Sequence, residues 1–432
     1  MRLTELEALR KEAYKVEYAA LKDMVEAALE SYLPEVDSRS SVLGDAMRYS
    51  LEAGGKRLRP VLLLAAAKLA GGSRKGKPAA PCESEVEARM GGNADEFREA
   101  VRANPYPIPN HDCVAESTCR SWRFEGESKH PIPNLDCKGS DCDLLQKALP
   151  YACAVEFIHT YSLIHDDHPS MDNDDLRRGR PANHKVYGDG IALLAGDGLL
   201  NSAFDVMLEA SQAAAGKDEL LRFIRAAAEI SKAAGVQGMI AGQASDFCMT
   251  DSAEICELKP LTANSSKTVS DNTVIDNSIR AASGDDTDML HYIHRNKTGA
   301  LIRAAVRAGA IIGGASDELL EALTSYAENL GLVFQIVDDL LDVIGDEKAM
   351  GKATGVDAEL GKLTYPSLYG TERSRKLAGE ITAEAVAVIE KASRLINNAN
   401  MNDAPDRKCD KTEHAPILFF AELALDLQKR IK

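Results

Sequence analysis

The stretch ALPYACAVEFIHTYSLIHDDHPSMDNDDLRRGRP, Ala148 to Pro181, runs an apolar helical pattern into five aspartates within ten positions, then two adjacent arginines. The apolar part predicts a helix, and Pro169 must end it near Asp166 and Asp167. A helix C-terminus is already partly negative, so these two carboxylates repel both the dipole and each other. So dense a run of negative charge calls for a cation.

Composition narrows what the cation serves. The 432-residue chain is 45% apolar, ample for a large core, yet only 5% aromatic and rich in alanine, which favours helices over sheets. Its length would suit two average domains, but single all-helical domains also reach it. With a formal charge of −16 and no long basic stripe, nucleic acid is not an expected partner. The N-terminal MRLTELEALRKEAYKVEYAALKDMVEAAL carries charge throughout and has no signal-peptide core, and no later apolar run looks long enough to span a bilayer. The expectation is a cytoplasmic enzyme without stable membrane insertion.

Residues 1 to 70, 144 to 248, 287 to 395 and 414 to 432 are rich in Ala, Leu, Ile and Glu at helical spacing. Between them, roughly 72 to 143, 249 to 286 and 396 to 413 are polar, and the first two are rich in Gly, Pro, Ser, Thr or Asn. The pattern predicts one helical domain, 1 to 432, interrupted by three insertions.

A second acidic cluster lies in GLVFQIVDDLLDVIGD, where Gln335, Asp338, Asp339 and Asp342 share a helix face. Two carboxylate clusters suggest hard cations with oxygen ligands. Magnesium fits, because it takes one or two carboxylates per ion and fills its octahedron with water and phosphate oxygens. Basic residues supply the other half of a phosphate site. GGKRLRP offers Lys56, Arg57 and Arg59 after a glycine pair, HRNKTGALIRAA offers Lys297 and Thr298, and GKATGVDAELGKLTYPSLYG offers Lys352 and Lys362. Arginine forks and lysine point charges hold a diphosphate well.

GGKRLRP, HDDHPSMDNDDLRRGRP, GQASD, KTGALI, FQIVDDLLD and GKLTYPSL, in this order, resemble the trans-isoprenyl diphosphate synthases, bacterial farnesyl diphosphate synthases in particular. The resemblance implies an all-α orthogonal bundle around a deep apolar cavity, normally a homodimer, that condenses isopentenyl diphosphate with dimethylallyl or geranyl diphosphate. It places Asp166, Asp167 and Asp172, with Asp338, Asp339 and Asp342, around magnesium. Arg177, Lys297, Thr298, Gln335 and Lys352 are implied to contact the allylic diphosphate, and Lys56, Arg59, His159 and Arg178 the isopentenyl diphosphate. Tyr161, five residues before Asp166, and Ser162 beside it resemble the floor of a fifteen-carbon product pocket. Such chemistry is electrostatic: neutralising the departing diphosphate leaves an allylic carbocation for the isopentenyl double bond to attack, sheltered from water by apolar helices.

Two features depart from that pattern. His168 stands where the family usually has an apolar residue. The first insertion carries a repeat, PIPNHDC at Pro107 to Cys113 and PIPNLDC at Pro131 to Cys137, with Cys119 and Cys142 following; zinc ligation, disulfides and free thiols are all open readings. Three functions compete: the farnesyl diphosphate synthase, with a geranylgeranyl diphosphate synthase as its longer-product variant; a class I terpene cyclase, opposed by the presence of both DDLLD and GGKRLRP; and a silent prenyl-diphosphate-binding subunit, opposed by the full set of motif carboxylates.

Overall fold

The alanine- and leucine-rich blocks fold as helices almost throughout. The structure is a computed structural model and describes residues 3–72, 140–249, 284–345, 362–403 and 415–431. Helices α1 (Leu3–Leu29), α2 (Ser41–Leu51), α3 (Leu58–Gly72) and α4 (Ser140–Asp166) precede a hairpin of β1 (Leu176–Arg177) and β2 (Arg180–Pro181). Next come α5 (Asn183–Tyr187), α6 (Asp189–Gln212), α7 (Lys217–Ala234) and α8 (Met239–Cys248). Beyond the second insertion lie α9 (Gly284–Ile293), a π-helical turn (His294–Gly299), α10 (Ala300–Gly313), α11 (Asp317–Ile344), α12 (Tyr365–Tyr369), α13 (Thr371–Asp403) and α14 (Ala415–Gln428). The hairpin, pairing Leu176 with Pro181 and Arg177 with Arg180, is the only sheet among the described residues. The fold is all-α, as composition and motifs predict.

Local chemistry sets the helix ends. α4 stops at Asp166, three residues before Pro169. α11 starts on Ser316, whose hydroxyl accepts the Leu319 N–H, with Asp317 and Glu318 complementing the dipole in the first turn. α12 has a reciprocal capping box between Thr364 and Ser367.

The core forms where apolar faces meet. α3 presents Leu62, Leu63 and Leu64, all fully buried, and packs on α10 and α4. The approach is close: a Cβ on Gly309 of α10 would stand 2.0 Å from the Leu63 carbonyl oxygen. α4 contributes Tyr151, Phe157 and Ile158 and also packs on α6, while α11 packs on α13. Phe420 of α14 covers Tyr326 of α11, whose hydroxyl donates to the Phe420 carbonyl at 2.7 Å. Each such side chain contributes about 1.5–3 kcal/mol through burial.

Three expectations change. The polar stretch from 396 does not interrupt the helix at once, because α13 continues to Asp403; INNANMND contains no glycine or proline to stop it, and Pro405 follows just beyond. α6, passed over in the sequence, is long and apolar enough by length and composition to cross a bilayer. Ala192, Ala195, Leu199, Ala203 and Val206 of this helix are buried, and it packs on α2, α4 and α7. Third, Cys142 and Cys248 are each disulfide-bonded, which for Cys142 replaces the zinc and free-thiol readings, while Cys153 is free and buried. The PIPN repeats lie outside the described residues.

The two ends of the first insertion meet. Leu144, early in α4, lies against Gly71 at the end of α3, its Cδ2 2.2 Å from where a Gly71 Cβ would be. Joining Gly71 to Asp143 by a short linker should therefore leave a folded, active enzyme. Circular dichroism and turnover would check this; a folded but inactive product would assign the insertion a functional role.

Candidate active site

The GGKRLRP loop joins α2 to α3 through left-handed backbone at Gly54, Gly55 and Arg57, with φ of 74°, 135° and 50°. For Arg57 that conformation is strained, and what holds it is an inward-turned guanidinium. Only 2% exposed, Arg57 donates from Nη1 to Glu156 Oε1 at 2.7 Å, from Nε to Glu26 Oε1 at 2.9 Å, and from Nη2 to the Leu51 carbonyl at 2.6 Å. With Arg57 used as the anchor, Lys56 and Arg59 remain for ligands.

Around this loop the structure gathers positive charge. Arg178, itself left-handed with φ of 54°, lies on the loop and donates to the Gly54 carbonyl. His159 of α4 is held well below its ordinary pKa by burial and by Arg59, Arg178, Arg57 and Arg177, so its ring is neutral. Burial pulls Arg59 down to about 10 against the attraction of Glu156, and its buried Nε has no hydrogen-bond partner. Burial and the nearby Arg430, from the C-terminal turn Lys429–Ile431, lower the pKa of Lys56, while Asp338 opposes them. An orphaned guanidinium N–H amid clustered cations suits an anion.

The first aspartate cluster folds back on the helix end, with the Asp172 N–H donating to the Asp166 carbonyl at 2.9 Å. Burial pushes the Asp166 carboxyl up to about 6; Lys297 opposes the shift, and Asp172 adds to it. Lys297, on the π-helical turn, donates to Asp246 Oδ2 at 2.6 Å. Burial disfavours its charge, but Asp246, Asp166 and Asp172 together raise its pKa and keep it an ammonium. α8 comes close enough to deliver Asp246 because Gly242 has no side chain: a Cβ there would lie 2.1 Å from the Lys297 nitrogen. Lys362 reaches Asp172 Oδ2 at 3.4 Å. One turn and a half up α4, Tyr161 is buried edge-on to His165, and the half-buried Ser162 donates to the His159 carbonyl at 2.8 Å.

The second carboxylate of each motif is placed differently from the expectation that it faces magnesium. Asp167, 2% exposed, accepts Arg177 Nε at 2.9 and 3.1 Å, with Nη2 also on Oδ1. A buried carboxylate needs a counter-ion, and this one takes the arginine expected on the allylic diphosphate. Asp339, 3% exposed, accepts the Gln335 amide on Oδ1 and the Tyr365 N–H on Oδ2, both at 2.9 Å. Thr298 in turn donates to Gln335 Oε1 at 2.9 Å. Asp339 is thus a positioning residue that ties the lysine turn and α12 to α11. Asp338 is half-buried and Asp342 is 3% exposed. Lys352 lies outside the described residues. Sequence reasoning missed Asp246 and Arg430; GQASD carried a signal for the first, and nothing marked the second.

Residues 135–399 match the family described as polyprenyl synthetase. The chain belongs to this family. It is 36% identical over 384 residues to the farnesyl diphosphate synthase of Geobacillus stearothermophilus, covering 89% of this chain and 91% of that one. It is also 36% identical over 363 residues to the large subunit 1 of the heterodimeric geranylgeranyl pyrophosphate synthase of Arabidopsis thaliana, covering 84% and 70% respectively. Among solved structures it resembles an apo FPP/GFPP synthase from Zymomonas mobilis, with a TM-score of 0.55 and 25% identity over 91% of this chain and all of that one. As a polyprenyl synthetase, the chain has the all-α isoprenoid synthase fold, and prenyl transfer is the activity the family carries, with isoprenyl diphosphates as substrates.

Proposed function

We propose that the chain is a magnesium-dependent farnesyl diphosphate synthase, condensing isopentenyl diphosphate with dimethylallyl or geranyl diphosphate. The single observation that carries this reading is the set Arg59, His159 and Arg178 on one side and Asp166, Asp172 and Lys297 on the other, with His159 and Asp166 both on α4. The all-oxygen donors Asp166, Asp172 and Asp338 fit magnesium, whose remaining positions would go to water and diphosphate oxygens. When bound, the ion supplies neutralising charge to the departing diphosphate.

The side chains do the rest. Lys297, kept charged by three carboxylates, faces the allylic diphosphate with Thr298 and Gln335 held behind it by Asp339. Arg59, Arg178 and Lys56 hold isopentenyl diphosphate beside a neutral His159, which adds no competing charge. The double bond of isopentenyl diphosphate attacks the allylic carbon as the C–O bond to diphosphate breaks, and the proton it loses goes to the released diphosphate. A homodimer completes the reading: Leu193, Leu194 and Leu208 of α6 and Leu221 and Ile224 of α7 are exposed, a face suited to a second copy.

Tyr161 argues for a fifteen-carbon product, because its ring lies about a turn and a half below the metal carboxylates, where a growing tail would meet it. Chromatography of dephosphorylated products should give farnesol from the wild type, with Tyr161→Ala shifting the product toward twenty carbons. A Tyr161→Ala enzyme that still stops at fifteen moves the floor to another residue. A wild type already making twenty carbons favours the geranylgeranyl reading that the Arabidopsis relative raises.

A further inference from the structure

His165 takes no part in holding diphosphate or metal. It sits in the last turn of α4, directly before Asp166, with its side chain 26% exposed and its ring against α6. Two contacts fix that ring. Its Nε2 lies 3.0 Å from the Leu193 carbonyl oxygen, and because a carbonyl only accepts, Nε2 carries the proton and donates. The ring also fills a notch that only glycine leaves open: a Cβ on Gly196 would stand 2.2 Å from Nε2 and 2.5 Å from Cδ2. Any larger residue at 196 would expel the imidazole from this seat.

Four residues earlier on the same face of α4, Tyr161 meets this ring edge-on, with centroids 5.5 Å apart and planes at 84°. A ring that stops a growing chain has to resist being pushed aside. Long side chains on a helix have two χ1 wells open to them, and contact with the fixed imidazole is specific to the one Tyr161 occupies. We propose that His165 is a positioning residue that sets product length through Tyr161: braced on α6 by Leu193 and Gly196, it holds the tyrosine ring across the path of the tail. The proposal rests on the reading of Tyr161 as the pocket floor. It makes the stop a joint product of α4 and α6 instead of a property of one side chain.

Product chromatography of the full chain, supplied with isopentenyl and geranyl diphosphates and magnesium, tests this. His165→Ala should raise the share of products longer than the wild type's main one by about twofold to tenfold, the factor that one edge-to-face ring contact is worth. His165→Gln, whose amide still reaches the Leu193 carbonyl, should shift it less. A role confined to holding α4 on α6 would lower turnover or stability and leave the product ratio alone. Gly196→Ala expels the ring without touching the aspartate motif, so it should change the ratio too, and it decides the matter if His165→Ala does not fold. Because His165 acts through the tyrosine, adding His165→Ala to Tyr161→Ala should lengthen the product no further. If Tyr161→Ala lengthens the product while His165→Ala and Gly196→Ala leave it unchanged, the brace alone is overturned. If Tyr161→Ala has no effect on length, the floor reading falls and this proposal falls with it.

Discussion

Replacing Asp166 with alanine should cost at least about two orders of magnitude in turnover, as should Asp338→Ala, because each removes an electrostatic contribution concentrated on the transition state. The two carboxylates lie 172 positions apart in the chain, so equal and large losses would be hard to explain unless both serve one diphosphate. Steady-state kinetics with isopentenyl and geranyl diphosphates would measure them. Folding must be intact, and circular dichroism checks that; near-normal turnover in either variant breaks the two-cluster reading.

The largest effect on stability should come from Arg57. Its guanidinium is the counter-charge of Glu156, with side chains 1% and 2% exposed respectively. Arg57→Met should destabilise the fold by about 3–5 kcal/mol, because it leaves a buried carboxylate uncompensated and frees the left-handed loop. Arg57→Met combined with Glu156→Leu should recover much of the loss, since replacing a whole buried pair by apolar groups is often neutral. Urea denaturation would measure both. A loss below about 1 kcal/mol in the single variant would mean that the pair is reached by water and screened.

Much of the site was legible because its residues come in short motifs whose spacing survives folding. Pro169 fixed the end of α4, and Lys297 and Thr298, quoted together from one motif, lie on one π-helical turn. What could not be read was direction. Nothing in GGKRLRP says that Arg57 turns inward to Glu26 and Glu156 while Lys56 and Arg59 stay available; that depends on partners 31 and 99 residues away. For the same reason Asp167 and Asp339 look equivalent to their neighbours in the motif, yet each is consumed by a partner, Arg177 or the Tyr365 amide. Asp246 belongs to a quoted motif, but its role exists only because Gly242 lets α8 touch the lysine turn. The course of α13 past 396 was misread by composition, since asparagine weakens a helix without stopping it.

The most direct test of the central claim, that Asp- and Arg-lined clusters on one bundle form a single cation-dependent prenyl-transfer site, is one assay of the purified full chain. Isopentenyl and geranyl diphosphates would be supplied with magnesium, with chelator, and with chelator followed by excess magnesium, and the dephosphorylated products separated by chromatography. A prenyl alcohol longer than geraniol should form with magnesium, vanish with chelator and return on re-addition. Chain elongation that persists in chelator, or its absence from a folded protein with magnesium present, would contradict the account.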